Sequence, residues 1–371
     1  MPKARNAKKA TAKRRSKKIS RASRAKARKA RANSAIRKQN KTIPQESLDN
    51  FASHSASSYK EAILQGILNL NSKSAITYWH AATFGRILLS LTKSTKTLGY
   101  SFGVEAGKEL YKIVSQSKNY YWYEESIPEL ISFLEKATGD PVSYQFVHNG
   151  LRIRLHSKNA PDLGTNIHSF EAGIMSGFVT VASHQPVKMC ETACTSNGSD
   201  YCEFLSVEEE PKEKEVEMEE AVSRFAEHVA AAIKSMPTQD AGVPLGYHAL
   251  IMQPLLDSKY IEALNNISSY MGLKVAESLF DDKRPGVSKI RDYLSKSAML
   301  LNLGAPRLKS IGKQPNLNMD FVFRPEISKK EYVEMSLAFI NGMISRASRP
   351  KVSFEMRGKG GSYILSVKEK Q

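Results

Sequence analysis

No acidic residue precedes Glu46, no run of 18 apolar residues occurs anywhere, and only three cysteines are present in 371 residues. Each shortage removes a class of protein. Without such a run no helix can span a bilayer. The basic amino-terminal stretch has no apolar segment behind it, so it is not a secretory signal. It is also too rich in Lys and too dense in charge for a transit peptide. An odd, low cysteine count argues against the disulfide framework of a secreted domain. There is no Gly-rich fingerprint after a strand, no Walker loop and no HExxH, so neither a nucleotide site nor a metalloprotease site is indicated.

What is present is charge, concentrated at one end. Eighteen Lys and Arg lie between Lys3 and Lys41, and the other 37 basic residues match the 37 acidic ones. The whole net charge of +18 therefore belongs to the first 45 residues, and the rest is neutral. Residues 1–45 are built from Ala, Lys, Arg and Ser with almost nothing large and apolar. Such a segment cannot offset its own ordering entropy, so a disordered tail is expected when it is free. Its cations (Lys8, Lys9, Lys13, Arg14, Arg15, Lys17, Lys18, Arg21, Arg24, Lys26, Arg28, Lys29 and Arg31 among them) suit a phosphate backbone. The Ala-rich stretch from Ala22 to Lys38 could turn helical once phosphates neutralise it. With no aromatic for base stacking, binding to DNA or ribosomal RNA without sequence preference is the expectation. No large apolar residue interleaves the charges, which disfavours a membrane anchor. A cytoplasmic protein associated with nucleoid or ribosome follows.

Beyond the tail, apolar spacing predicts helices at Tyr59–Asn69, Trp79–Leu91, Phe102–Ser115 and Ser126–Ala137. Alternation then predicts strands Val142–Val147 and Leu151–His156 around the turn His148-Asn149-Gly150. A helix over Ile167–Ser183 follows, then strands Pro186–Ala193 and Asp200–Val207. This order predicts an α+β fold with a twisted antiparallel sheet and packed helices. A first domain over 59–209 is separated by a charged linker helix and loop, 210–244, from a second domain over 245–371.

The second domain echoes the first. Tyr78-Trp79-His80-Ala81 returns as Tyr247-His248-Ala249, Gly103–Tyr111 as Gly272–Phe280, Phe170–Val179 as Met335–Ile344, and Leu205-Ser206-Val207 as Leu365-Ser366-Val367. Four echoes in the same order indicate a duplication, and the second copy has no cysteine.

All three thiols, Cys190, Cys194 and Cys202, fall within 13 residues. A hairpin turning at Gly198 would let Glu191 and Cys194 approach Cys202 across strands about 5 Å apart. Soft thiolates with one carboxylate favour Zn²⁺ over iron. The fourth ligand is either Cys190, which faces away from Glu191 on a strand, or His168 from the preceding helix. Glu105, Glu171 and Glu191 define no catalytic constellation. His54, His80, His148, His156, His184 and His248 read as surface or packing residues. Trp79, Phe84 and the run Tyr120-Tyr121-Trp122-Tyr123 could line a pocket but read first as core.

The small-residue helix His168–Phe178, followed by Glu191-Thr-Ala-Cys194 and Gly198-Ser-Asp-Tyr-Cys202-Glu-Phe204, resembles the 4-vinyl reductase domain family over roughly Tyr78 to Glu209. The resemblance implies the fold of TRAPP transport-complex subunits, often dimeric. It also implies, as in phenol-responsive regulators, a zinc beside a closed hydrophobic pocket. In those regulators three Cys and one Glu hold the zinc. Carried over, Glu191, Cys194 and Cys202 are ligands, while His168 stands where the family has its remaining Cys. The resemblance brings no catalysis. The expectation is a non-enzymatic, homodimeric binding protein holding one structural zinc, with tandem domains for a small hydrophobic ligand or for dimerisation. A reductase using the first domain's pocket and an assembly or transport scaffold are the rival readings.

Overall fold

A computed structural model describes residues 63–64, 66–67, 75–90, 92–148, 150–157, 160–207, 218–236, 242–256, 260–280, 285–309, 317–347, 352–359 and 362–369. The basic tail and most of the predicted helix 59–69 lie outside the described residues. The fold is α+β.

The first half runs β1 (Ile76–Tyr78), α1 (Trp79–Ser90), α2 (Lys93–Ser115), α3 (Tyr123–Thr138), β2 (Val142–Val147), β3 (Gly150–Leu155), α4 (Ser169–Ser183), β4 (Met189–Ala193) and β5 (Cys202–Ser206). Helix α5 (Met218–Ser235) leads to the second half. There follow β6 (Gly242–Pro244), α6 (Leu245–Leu256), α7 (Ile261–Leu279), α8 (Val287–Leu300), β7 (Ala305–Leu308), β8 (Met319–Val322), α9 (Lys330–Arg346), β9 (Val352–Lys359) and β10 (Ser362–Glu369). Each half has a four-stranded antiparallel sheet, ordered β2-β3-β5-β4 in one and β7-β8-β10-β9 in the other. The two sheets thus share one strand order.

Period-2 alternation places Leu151, Ile153 and Leu155 against the helices, fully buried, while Arg152 and Arg154 face outward onto Glu203. Two differences from the sequence reading have local causes. Helix α2 starts nine residues before Phe102, because Thr92 and Thr95 form a capping box, each hydroxyl accepting the other's backbone N–H at 3.1 Å. The loop expected at the end of 210–244 finishes in a strand: β6 pairs antiparallel with β1, Thr77 opposite Val243. This pairing and the seating of Gly85 of α1 against Ile251 and Met252 of α6 join the halves over one continuous apolar core.

Helices α2 and α4 cross at backbone contact. A Cβ on Gly103, Gly107, Gly173 or Gly177 would run into the carbonyl oxygen of Phe170, Ile174, Tyr100 or Val104 respectively. At the α7–α9 crossing Gly272 meets Phe339 O and Gly342 meets Ser269 O. The contacts match either first-half glycine pair, so the ungapped matches of Gly103–Tyr111 and of Phe170–Val179 to the second half cannot both hold: they differ by one helical turn.

Two histidines are buried without charge. His248 Nε2 lies 3.0 Å from the Tyr332 hydroxyl, which itself donates to Asn302 O, so the imidazole donates from Nε2 and leaves Nδ1 bare. Burial lowers its pKa from 6.5 to about 3. Burial and, secondarily, neighbouring His228 do the same to His80, whose ring nitrogens have no partner. Unfolding restores the ordinary value, so the unfolded chain binds more protons below pH 6.5 and stability falls with pH in that range. By pH 5 the loss should reach roughly 2 kcal/mol per histidine. In urea melts between pH 7 and 5, His248→Gln should remove about half of the histidine contribution to this slope. A variant with the wild-type slope would show that His248 is not a buried neutral group.

Candidate metal centre

The β4–β5 hairpin and the start of α4 build the centre. On an unbroken strand, residues three apart face opposite sides, so Glu191 and Cys194 could not serve one site. The ladder shifts between them: Glu191 pairs with Phe204, but Ala193 pairs with Glu203. This bulge returns Cys194 to the face of Glu191. A 3₁₀ turn over Thr195–Asn197 and Gly198 at φ +81° then bring in Cys202 at the head of β5.

His168 occupies the position just before α4, and its ring makes no cap bond to that helix. Its backbone N–H donates to Glu191 Oε2 at 3.0 Å and its Nδ1 lies 2.8 Å from Oε1. Cys194 Sγ is 3.5 Å from the same Nδ1 and 3.7 Å from Cys202 Sγ. One donor atom from each of His168, Glu191, Cys194 and Cys202 falls within 4.8 Å of every other, and all four residues are buried. Cys190 is not among them. It sits opposite Leu205, on the other face of the sheet from Glu191.

The donors fit a metal. Two sulfurs each about 2.3 Å from a tetrahedral zinc stand about 3.8 Å apart, close to the 3.7 Å found here. The shorter Nδ1–Oε1 contact is a hydrogen bond that a cation between these atoms would open. Electrostatics agree. The Cys194 hydrogen bond, then His168 and Thr195, hold the Cys202 thiol down to about 3 against burial. Burial pushes Cys194 well up. Burial works against charge on His168, but Cys202 and Glu191 outweigh it and raise its pKa. A dication would displace the protons held by Cys194 and His168.

Sequence reasoning missed Thr195 and named Glu171 without its partners. Thr195 presents its backbone N–H at 3.4 Å and its hydroxyl at 3.2 Å to Cys202 Sγ, in the manner of a group that orients a ligand. Glu171, one turn into α4 after His168, is fully buried, and its Oε1 accepts from Arg86 Nε at 2.7 Å and from the Tyr247 hydroxyl at 2.6 Å. Burial alone would raise the Glu171 pKa, but Arg86 and His168 bring it below the ordinary value. Arg86 comes from α1 and Tyr247 from α6, 76 residues after Glu171, a separation across which no spacing rule speaks. Of the other residues singled out, Glu105 pairs with Lys108 at the surface. His148, His156 and His184 are exposed. Phe84 is core as expected, but Tyr121 and Trp122 are 87% and 71% exposed and are not.

The profile of the 4-vinyl reductase domain matches residues 154–208, the stretch that contains all four donors. An uncharacterised protein of Methanocaldococcus jannaschii is 40% identical over 47 residues, 13% of this chain and 27% of that protein. The chain thus spans about a quarter of the length of the curated relative it matches. No solved structure matches.

Proposed function

We propose that the protein is a non-enzymatic binding protein whose first half is stabilised by one structural zinc. The observation carrying this is the four-donor cluster of His168, Glu191, Cys194 and Cys202, buried on every side. Thiolate, imidazole and carboxylate together suit zinc. Four protein ligands leave no open position for water or substrate, the arrangement of a structural and not a catalytic site. When bound, the ion would supply a cross-link between β4, β5 and the head of α4. The second half, with the same strand order and no cysteine, would be a copy that keeps the scaffold without the metal. The tail's eighteen cations support attachment to a nucleic acid. The scaffold would serve a small apolar ligand or association between chains.

Elemental analysis of the purified chain should find one zinc per molecule. Its removal by a strong chelator should lower the melting temperature by about 10 °C or more, reversibly on adding zinc back. Metal-free protein with an unchanged melt would overturn the reading.

A further inference from the structure

The echo of His80 in the second half, His248, has the Tyr332 hydroxyl at its Nε2. His80 has nothing equivalent. It is 2% exposed, yet neither Nδ1 nor Nε2 finds a partner among the described residues. Buried polar atoms in a native fold are bonded as a rule, and an exception points to an ion, a water or a ligand at that place. Beside the ring lies a second imidazole. His228 reaches it from α5, with ring centroids 5.5 Å apart. Trp79 stacks on His80 at 3.9 Å and lies 5.3 Å from His228. Stacking engages the face of the His80 ring and leaves its in-plane nitrogens unsatisfied.

The spacing suits one ion shared by two imidazoles. With metal–nitrogen bonds of about 2.0–2.1 Å, each ring centre stands about 3.2 Å from the metal, so two rings lie about 5.2 Å apart at the tetrahedral angle and about 5.5 Å apart at an angle of about 120°. The observed 5.5 Å falls there. A ligating imidazole must be neutral, and burial lowers the pKa of both rings, with His228 adding to the effect on His80. His228 is half-buried, which gives an ion access from solvent. Among the described residues no carboxylate or thiol makes a group of three with this pair. The donor set thus differs from the His168 cluster, where thiolates select zinc.

We propose that His80 and His228 bind a divalent late first-row transition ion, with water in its remaining positions, tying the start of α1 to α5. Two imidazole nitrogens without carboxylate disfavour Ca²⁺ and Mg²⁺, which take oxygen ligands. Affinity should follow the usual order for nitrogen donors, Cu²⁺ above Ni²⁺ above Co²⁺. The site shares no residue with the His168 cluster, so it stands or falls separately from the zinc there.

The test uses the full chain without an added histidine tag; its own tail has no histidine before His54. The chain has two tryptophans, so Trp122→Phe leaves the fluorescence of Trp79 to report on the ring pair. Ni²⁺, paramagnetic and inert towards thiols, should quench that fluorescence saturably at one equivalent, with a micromolar midpoint and no change in zinc content. Adding His228→Gln should weaken the midpoint by about tenfold or more and leave the metal-free melt unchanged. His156→Gln, at an exposed histidine, should change neither. Should the His228 variant fold poorly, the pH profile of the Trp122→Phe protein decides. At pH 6 an ordinary histidine is about three-quarters protonated, so a surface pair would bind more than about tenfold more weakly than at pH 7.5. The buried pair stays neutral and should keep its midpoint within about threefold. Absence of saturable quenching, quenching unchanged by His228→Gln, or a midpoint that weakens at pH 6 as a surface pair's does would each overturn the site.

Discussion

Arg86→Met should lower the unfolding free energy by about 3–5 kcal/mol, one of the two largest effects expected for this protein. The Arg86 and Glu171 side chains are 8% and 0% exposed, and their contact is 2.7 Å. Removing the guanidinium strands a buried carboxylate that keeps only the Tyr247 hydroxyl, at 2.6 Å. Neutralising that carboxylate is the cheapest escape, so the Glu171 pKa, held low in the wild type, should rise and the variant should gain stability as pH falls from 7 to 5 relative to wild type. Arg86→Met combined with Glu171→Met removes both charges at once and should recover most of the loss, because an apolar pair of similar volume needs no desolvation. Tyr247→Phe, which leaves the ion pair intact, should cost about 1–2 kcal/mol. Urea melts of wild type, Arg86→Met, Glu171→Met and the double variant close the cycle and give the coupling directly. A single-variant cost below about 1 kcal/mol would mean that water reaches the pair and that it is not the buried lock between α1, α4 and α6.

The elements and the ligand set were legible in the sequence to different depths, for physical reasons. The hairpin at Val142–Leu155 follows from alternation and a Gly-bearing turn, both local signals, and is found with register Val142 to Leu155. Helix α4 follows from spacing, and its small residues have their cause in the backbone contact with α2. The donors on β4 and β5 were visible as residues, but their convergence depends on the bulge after Glu191, which alternation cannot announce. Cys190 and His168 stayed open as fourth ligand for the same reason. Sequence distance favours Cys190, strand alternation already turns it away from Glu191, and its pairing with Leu205 agrees with the alternation. The start of α2 was hidden because Thr, Ser and Gly weaken helix propensity, and the reciprocal Thr92–Thr95 cap compensates. Strand β6 is three residues long and exists only through its pairing with β1, 166 residues earlier in the register Thr77 to Val243. Tyr121 and Trp122 defeat composition altogether. Residue type alone would place them inside, but both sit exposed just before the helix that starts at Tyr123.

The second large effect concerns the basic tail. Full-length protein should bind duplex DNA or ribosomal RNA with an affinity that collapses as salt rises, and a chain lacking residues 1–45 should lose that binding. Eighteen cations lie between Lys3 and Lys41, with no acidic residue before Glu46. If about half of them neutralise phosphates, the slope of log affinity against log salt on duplex DNA is about −8, and raising salt from about 50 to 200 mM weakens binding by about 10⁴- to 10⁵-fold. The other 37 basic residues are matched by 37 acidic ones, so the truncated chain has no comparable excess and its slope should be near zero. Replacing Lys and Arg in small groups along Lys8–Arg31 should reduce the slope in proportion to the number removed, wherever the group lies, because a phosphate contact carries no sequence information. Equal binding by the full and truncated chains would move the nucleic-acid contact, if any, to the folded body. Absence of binding by the full chain at low salt would leave its eighteen cations to serve some other polyanion.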